Sequence, residues 1–303
     1  MGMTREKGRD AIMYELIQAG PHSYYVNAPV KIGLYVIEDQ AWLIDSGGDK
    51  DAGRKLRQLL EKEGWTLRAI LNTHSNAYHI GGNKYLQKQA GCPVYAPGID
   101  CAFTRHPLLE PAYLYGGFPP KDLRHKFLMA QESDAAYLTQ EILPQGMKIL
   151  PLPGHFFDMV GFETDEGVTY LADCLSSRET LDKYGIGVVY DVGAYLETLE
   201  MVKGLQAKCF IPAHAPATED IAPLAQYNID KTLEVAEKIR AFCREPISFE
   251  VLLQKLFTDY GLTMDFSQYV LVGSTVRSYL AWLKDKGEVT VSFDTRMPLW
   301  QTV

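Results

Sequence analysis

The sequence has few cysteines and no long apolar run. Only five of its 303 residues are cysteine, and no two of them have the C-x-x-C spacing of metal or redox sites. An odd number of unpatterned cysteines favours reduced thiols and a cytoplasmic protein. No run of about 18 apolar residues occurs, so no membrane span is predicted. The charged start, MGMTREKGRDAIM, also lacks the apolar core of a secretory signal.

Positive charge is also scarce. The formal net charge is −8, and no lysine or arginine run is present. Residues 244–303 contain six Lys/Arg and seven Asp/Glu, a net charge of −1. Proteins that bind nucleic acid present clustered positive charge, so this composition favours a small-molecule substrate over nucleic acid.

Two common catalytic motifs are absent as well. No G-x-G-x-x-G opens a helix after the first strand, so a dinucleotide site has no support. The pair Ser176-Ser177 does not lie in the G-x-S-x-G context of a serine nucleophile.

Strands and amphipathic helices alternate through most of the chain. The segment KIGLYVIED alternates apolar residues at period two, and Leu56 and Leu60 lie on one face of a helix over 50–63. A second helix is expected over 80–90, closed by Gly91.

The pattern divides the chain into regions. Residues 1–218 form a predicted α/β domain, interrupted at 99–146 by an aperiodic insertion that we expect to form short helices and act as a lid. Residues 219–303 form a predicted helical extension with a terminal hairpin turning at Asp294-Thr295-Arg296.

Five potential metal ligands follow or end predicted strands. In layered α/β proteins such strand ends converge on one edge, where binding sites are usually built. One such histidine alone is more often structural, but five in this order favour a site. They are His74, His79, His155, Asp173 and His214.

The segments THSNAYHIGGN, LPGHFFDMVGF, YLADCLSS and IPAHAP together resemble the metallo-β-lactamase superfamily over roughly residues 12–218. The resemblance implies an αββα sandwich and a metal-dependent hydrolase. The C-terminal helices and hairpin resemble the winged-helix tail of some members. A packing or dimerisation role for this extension is the simpler interpretation.

The resemblance also implies a ligand set that this chain keeps only in part. The family motif H-x-H-x-D-H corresponds to His74, Asn76, Tyr78 and His79, so Asn76 replaces a histidine and Tyr78 replaces an aspartate. His155, Asp173 and His214 match the remaining ligands, with Asp173 bridging two metals. Asp45 matches the acid that lies beside the ligands.

The two replacements predict a reduced metal site. A neutral amide is a weak zinc ligand, and a phenol with a pKa near about 10 is a poor one. His74, His155 and Asp173, or His79, His214 and Asp173, still suffice for one ion. We therefore expect at most one zinc or iron per chain, or none, with Asp173 and Tyr78 as catalytic residues.

The expected function is hydrolysis of a small ester, thioester or lactone by a metal-bound water. Two alternatives remain from the sequence. One is a non-catalytic ligand-binding protein with a decayed site, and the other is a nuclease acting on RNA or DNA. The chain could also form a homodimer.

Overall fold

Two β-sheets form the centre of the fold. The structure, a computed structural model, describes residues 14–294 and 296–303. The larger sheet has its seven strands in chain order: β1 (Glu15–Gln18), β2 (Ser23–Asn27), β3 (Ile32–Ile37), β4 (Gln40–Ile44), β5 (Thr66–Leu71), β6 (Val94–Ala96) and β7 (Ala135–Tyr137). The smaller has the order β11–β10–β9–β8: β8 (Met147–Pro151), β9 (Val160–Thr164), β10 (Val168–Ser176) and β11 (Cys209–His214). Strands β1 and β2 were not predicted.

The sheets pack face to face and helices cover their outer faces. Leu71 of β5 and Phe162 of β9 belong to one buried cluster between the sheets. The larger sheet carries α1 (Lys50–Glu63) and α3 (Asn83–Ala90) outside, and the smaller carries α7 (Val192–Lys203) and α8 (Ala222–Phe242). This layering confirms the αββα prediction.

Helix α1 follows its sequence signals. The Asp49 side chain accepts a hydrogen bond from the Ala52 amide at the start, and Gly64 ends the helix in the left-handed region at a φ of 74°. Leu56 and Leu60 are buried, as their spacing predicts.

The helix predicted over 80–90 is instead two helices. These are α2 (Ala77–Ile80) and α3, separated at Gly81 and Gly82. A Cβ on Gly81 would lie 2.3 Å from the Gly48 carbonyl carbon, and one on Gly82 would lie 2.3 Å from the Ser46 carbonyl oxygen. The glycines therefore let this turn pack against the loop that follows β4, which is a contact that helical periodicity does not encode.

The insertion contains more than short helices. It includes α4 (Asp100–Arg105), α5 (Leu109–Tyr115) and two 3-10 turns (Lys121–Leu123 and Gln140–Ile142). It also includes β7, which pairs in parallel with β6 and extends the larger sheet. Part of the insertion is therefore built into the main domain.

The C-terminal extension contains α8, α9 (Phe249–Asp259) and α10 (Phe266–Asp285), followed by the hairpin β12 (Val289–Ser292) and β13 (Leu299–Thr302). Leu252, Leu256 and Val276 lie in the same buried cluster as the outer face of the smaller sheet. The backbone of Ile247 forms an isolated antiparallel β-bridge with Trp300 of the hairpin. Of the predicted hairpin turn, Thr295 lies outside the described residues, and the winged-helix likeness stays a prediction. In the described part of the chain, no helix has the length and apolar character needed to cross a membrane.

Candidate metal centre

The predicted ligands meet where the ends of the two sheets approach each other. His74 follows β5, His155 follows β8, and His214 ends β11. The Val160 amide of the smaller sheet donates to the Thr73 carbonyl at 2.9 Å, which ties the two sheet ends together. The strand-end placement inferred from the sequence therefore corresponds to one location in the fold.

A bulge in β10 presents Asp173 to this location. The pairing of β10 with β11 shifts register on both sides of Ala172, which adopts a φ of 48°. A bulge bends its strand and redirects the next side chain. The alternation of residues along the strand did not indicate this bulge.

Asp173 lies at the centre of four imidazoles. Its Oδ1 is 3.1 Å from His79 Nε2, and its Oδ2 is 3.0 Å from His214 Nε2. His155 Nε2 and His74 Nε2 lie 3.7 Å and 3.9 Å from the same Oδ2. The cluster divides into two groups whose ligand atoms lie within 4.8 Å of one another. The first group is His74, His155 and Asp173, and the second group is His79, Asp173 and His214.

Asp45 orients two of these rings. Its Oδ2 lies 2.7 Å from His79 Nδ1 and accepts a hydrogen bond from Thr73 Oγ1 at 2.7 Å. Thr73 Oγ1 in turn lies 3.0 Å from His74 Nδ1. Because Thr73 gives its proton to Asp45, it accepts from His74, so both rings carry the proton on Nδ1. In the neutral form of each ring, the Nε2 lone pair therefore faces the cluster.

Several buried polar atoms at the centre lack a hydrogen-bond partner among the described residues. They are His74 Nε2, His79 Nε2 and Asp173 Oδ1. An unpaired buried polar atom costs about 1–3 kcal/mol, so three in one place call for an explanation. Imidazole nitrogens and a carboxylate oxygen pointing at a common volume match the ligands that zinc and ferrous iron prefer. The residues present therefore fit a metal ion.

Burial and charge set the protonation of the cluster. Burial alone would lower the pKa of His79, but Asp173 and Asp45 outweigh it and raise this pKa to about 10. Burial, together with the neighbouring His79, lowers the pKa of His74 well below its usual value, and burial also lowers that of His155. Burial opposes ionisation of Asp173, yet His214 and His79 hold its pKa well below the usual range. The two carboxylates thus favour a protonated His79 in the metal-free protein.

Asn76 contacts the cluster and a buried acid from the insertion. Its Oδ1 lies 3.3 Å from His155 Nε2, and its Nδ2 donates to Glu110 Oε1 at 2.7 Å. Glu110 belongs to α5 and is buried, which raises its pKa to about 8. Sequence reasoning did not identify Glu110, because nothing local relates it to Asn76, 34 residues earlier.

Tyr78 lies at the rim rather than among the ligands. Its side chain is 45% exposed, and its ring stacks on Phe127 with centroids 5.6 Å apart. Among the described residues, its hydroxyl forms no hydrogen bond with the cluster. The geometry brings the other predicted residues together and leaves the phenol outside. His106 lies on the surface, and His125 Nε2 contacts Ser267 Oγ at 3.2 Å.

A cavity of about 260 Å³ opens beside the cluster. His155, Asp173 and His214 line one side of it. Leu271 and Val272 of α10 form part of its apolar wall, so the C-terminal extension contributes directly to this pocket. α6 (Arg178–Tyr184), which was not predicted, supplies Tyr184.

Two packed sheets with helices on their outer faces and a histidine and aspartate cluster at one edge define an αββα fold with a candidate metal centre. The family model described as "Metallo-beta-lactamase superfamily" matches residues 27–214. The chain belongs to this superfamily.

Curated relatives are similar to this chain over part of their length. A hydroxyacylglutathione hydrolase of Rhodopseudomonas palustris (strain BisB18) is 28% identical over 165 residues, which cover 53% of this chain and 52% of that protein. One from Nitrobacter winogradskyi is 25% identical over 169 residues, which cover 53% and 51%. The chain spans about half the length of these curated relatives.

Two solved structures share the fold over nearly the whole chain. A β-lactamase domain protein from Burkholderia ambifaria has a TM-score of 0.73 at 14% identity and covers 95% of this chain and 94% of its own. A metallo-β-lactamase family protein from Thermus thermophilus has a TM-score of 0.70 at 17% identity, covering 96% and 98%. The C-terminal extension is therefore included in the shared architecture.

Proposed function

We propose that the protein is a metal-dependent hydrolase of a small ester, thioester or lactone, with a thioester as its leading substrate class. The convergence of unpaired buried atoms from His74, His79 and Asp173 beside a largely apolar cavity carries the proposal. The similarity to proteins named hydroxyacylglutathione hydrolase supports a thioester.

The protein residues hold and orient the ion. One of the two groups that share Asp173 would bind at most one zinc or ferrous ion per chain. When bound, such an ion polarises a substrate carbonyl and lowers the pKa of water. Asp45 keeps the His79 ring fixed and, through Thr73, the His74 ring.

The cavity would receive the acyl part of the substrate. Val272 and Leu271 line it, and no lysine or arginine is among its described lining residues. An apolar wall without a cation favours a neutral acyl group and excludes water from the reacting carbon.

The proposal also includes the cellular location, the type of partner and the oligomeric state. A cytoplasmic location is supported by cysteines that are all free. A small molecule rather than nucleic acid as the partner is supported by the net charge of −8. Formation of a homodimer stays a prediction.

Metal analysis combined with a substrate panel tests the function. Protein purified without added metal is analysed for zinc and iron, then assayed with glutathione thioesters, simple acyl thioesters, aryl esters and lactones. We expect about one ion per chain or fewer and turnover of at least one thioester. His74→Ala should abolish turnover, whereas His106→Ala, at an exposed histidine, should not.

Two outcomes would reject this proposal. Saturable binding of a thioester without turnover, in protein supplied with zinc or iron, would favour a non-catalytic ligand-binding protein. Metal-dependent cleavage of RNA or DNA without thioesterase activity would favour the nuclease.

A further inference from the structure

The Asn76 amide is held from behind by a buried acid. Its Nδ2 donates to Glu110 Oε1 at 2.7 Å. Glu110 is only 5% exposed, so water does not compete for this contact. With Nδ2 engaged on the insertion side, Oδ1 faces the metal cluster, 3.3 Å from His155 Nε2.

The contact between Asn76 Oδ1 and His155 Nε2 joins two acceptors. His155 Nδ1 lies 2.9 Å from the Val188 carbonyl oxygen, which can only accept, so Nδ1 carries the proton of the neutral ring. Nε2 then has a lone pair, and an amide oxygen has no proton to give. Two lone pairs at this distance repel each other unless a positive partner, such as a metal ion, lies between them. Two ligands of one tetrahedral ion, with bonds of about 2.0–2.1 Å, lie about 3.3–3.4 Å apart.

We propose that Asn76 Oδ1 is a metal ligand in the group of His74, His155 and Asp173, and that Glu110 is the positioning residue that holds the amide in its ligating orientation. The inference rests on the proposed function, because it requires a metal at this centre. An acid that hydrogen-bonds to a ligand fixes its orientation and increases its basicity. In this chain the Glu110–Asn76 pair takes over the position of a histidine ligand.

The number of ligand atoms differs between the two groups. With Asn76, the first group has four protein ligand atoms, and an ion there would accept a water or substrate oxygen as a fifth ligand. The second group has three, because Tyr78 turns its ring to Phe127 at the rim. A single ion should therefore bind at the first group.

The test measures metal binding independently of activity. Metal-free protein is titrated with zinc by calorimetry and with cobalt(II) by visible absorption, which reports coordination. Asn76→Ala should weaken zinc binding by about 10–100-fold and Glu110→Gln by about 10-fold, with both changing the cobalt spectrum. The control Glu166→Gln makes the same change at an acid that binds Ser23 and the His22 amide, and should leave the Kd unchanged.

A reversed pair tests the orientation. In Asn76→Asp with Glu110→Gln, the new glutamine can donate to one oxygen of the new aspartate, which leaves the other at the position of Oδ1. We expect zinc binding at least as tight as in the wild type. This isosteric double variant keeps the proposal testable if Asn76→Ala does not fold. A zinc affinity below that of the wild type, together with an unchanged cobalt spectrum, would overturn the proposal.

The outcomes separate this inference from the function on which it rests. If the wild type binds one ion but Asn76→Ala and Glu110→Gln keep its Kd and cobalt spectrum, Asn76 is only a hydrogen-bond bridge to His155. The proposed function then stands. If the wild type binds no metal, both the function and the ligand assignment are wrong.

Discussion

Asp45 lies 2.7 Å from His79 Nδ1 and, through Thr73, reaches the second imidazole of His74. One buried carboxylate thus orients two imidazole rings that belong to the same segment after β5. Asp45 itself has a φ of 66°, in the left-handed region that aspartate tolerates better than most residues. Metal binding should therefore be sensitive to this residue, although it is not in either ligand group.

Asp45→Ala should weaken zinc binding by about 10–100-fold, because both imidazoles lose the contact that fixes their rotation and proton position. Zinc affinity is measured by competition with a chelator of known Kd. Asp39→Ala removes an exposed carboxylate near the same hairpin and serves as the control. Equal affinities in the two variants would show that Asp45 does not orient the ligands.

Tyr78→Asp should increase the metal content from one ion per chain to two. The new carboxylate would join His79, Asp173 and His214, which already lie within ligand distance of one another. Tyr78→Phe preserves the stacking on Phe127 without adding a ligand and should remain at one ion. Elemental analysis after dialysis gives the count, and one ion or none in a folded Tyr78→Asp protein would contradict the prediction.

The metal-free protein should become less stable as the pH rises from 7 to 10. The folded-state pKa of His79 is raised to about 10 from an ordinary value of 6.5, so its proton stabilises the folded state fully below about pH 6.5. That stabilisation is lost as the pH rises through 10. Denaturant unfolding of the chelator-treated protein at several pH values measures the slope.

The matched variant for this titration is His79→Gln. Its unfolding free energy should depend less on pH over the same range. The two slopes should differ by up to about 1.4 kcal/mol per pH unit, which is the value for the release of one proton. Parallel curves for the wild type and His79→Gln would place the titration on other groups.

Val272→Phe should narrow the cavity and shift the substrate preference of the proposed hydrolase toward smaller acyl groups. Val272 is 6% exposed and lines the cavity from α10. We expect kcat/KM to fall by about 10-fold or more for the larger members of a thioester series and to change little for an acetyl thioester.

The control for this variant is Val251→Phe, the same change at a residue that is 44% exposed on α9. It should leave the acyl profile unchanged. If Val272→Phe lowers kcat/KM equally for every acyl group, α10 supports the fold without selecting the substrate.

The sequence by itself determined much of the element order and most of the cluster. Period-two strands and amphipathic helices are local patterns, and they place His74, His155 and His214 at or just beyond strand ends. Parallel or layered strands bring such ends to one edge regardless of side-chain detail. Residue spacing therefore sufficed to predict an α/β domain and the convergence of its polar residues, whereas the αββα sandwich was implied by the family resemblance.

Only the tertiary structure decided how the site is completed. Glu110 reaches Asn76 from the insertion, Val272 reaches the cavity from α10, and a bulge at Ala172 aims Asp173. Each depends on packing between segments far apart in the chain or on a register shift within a strand. Neither leaves a periodic signal in the sequence, because the contact energy depends on where segments meet rather than on their local pattern.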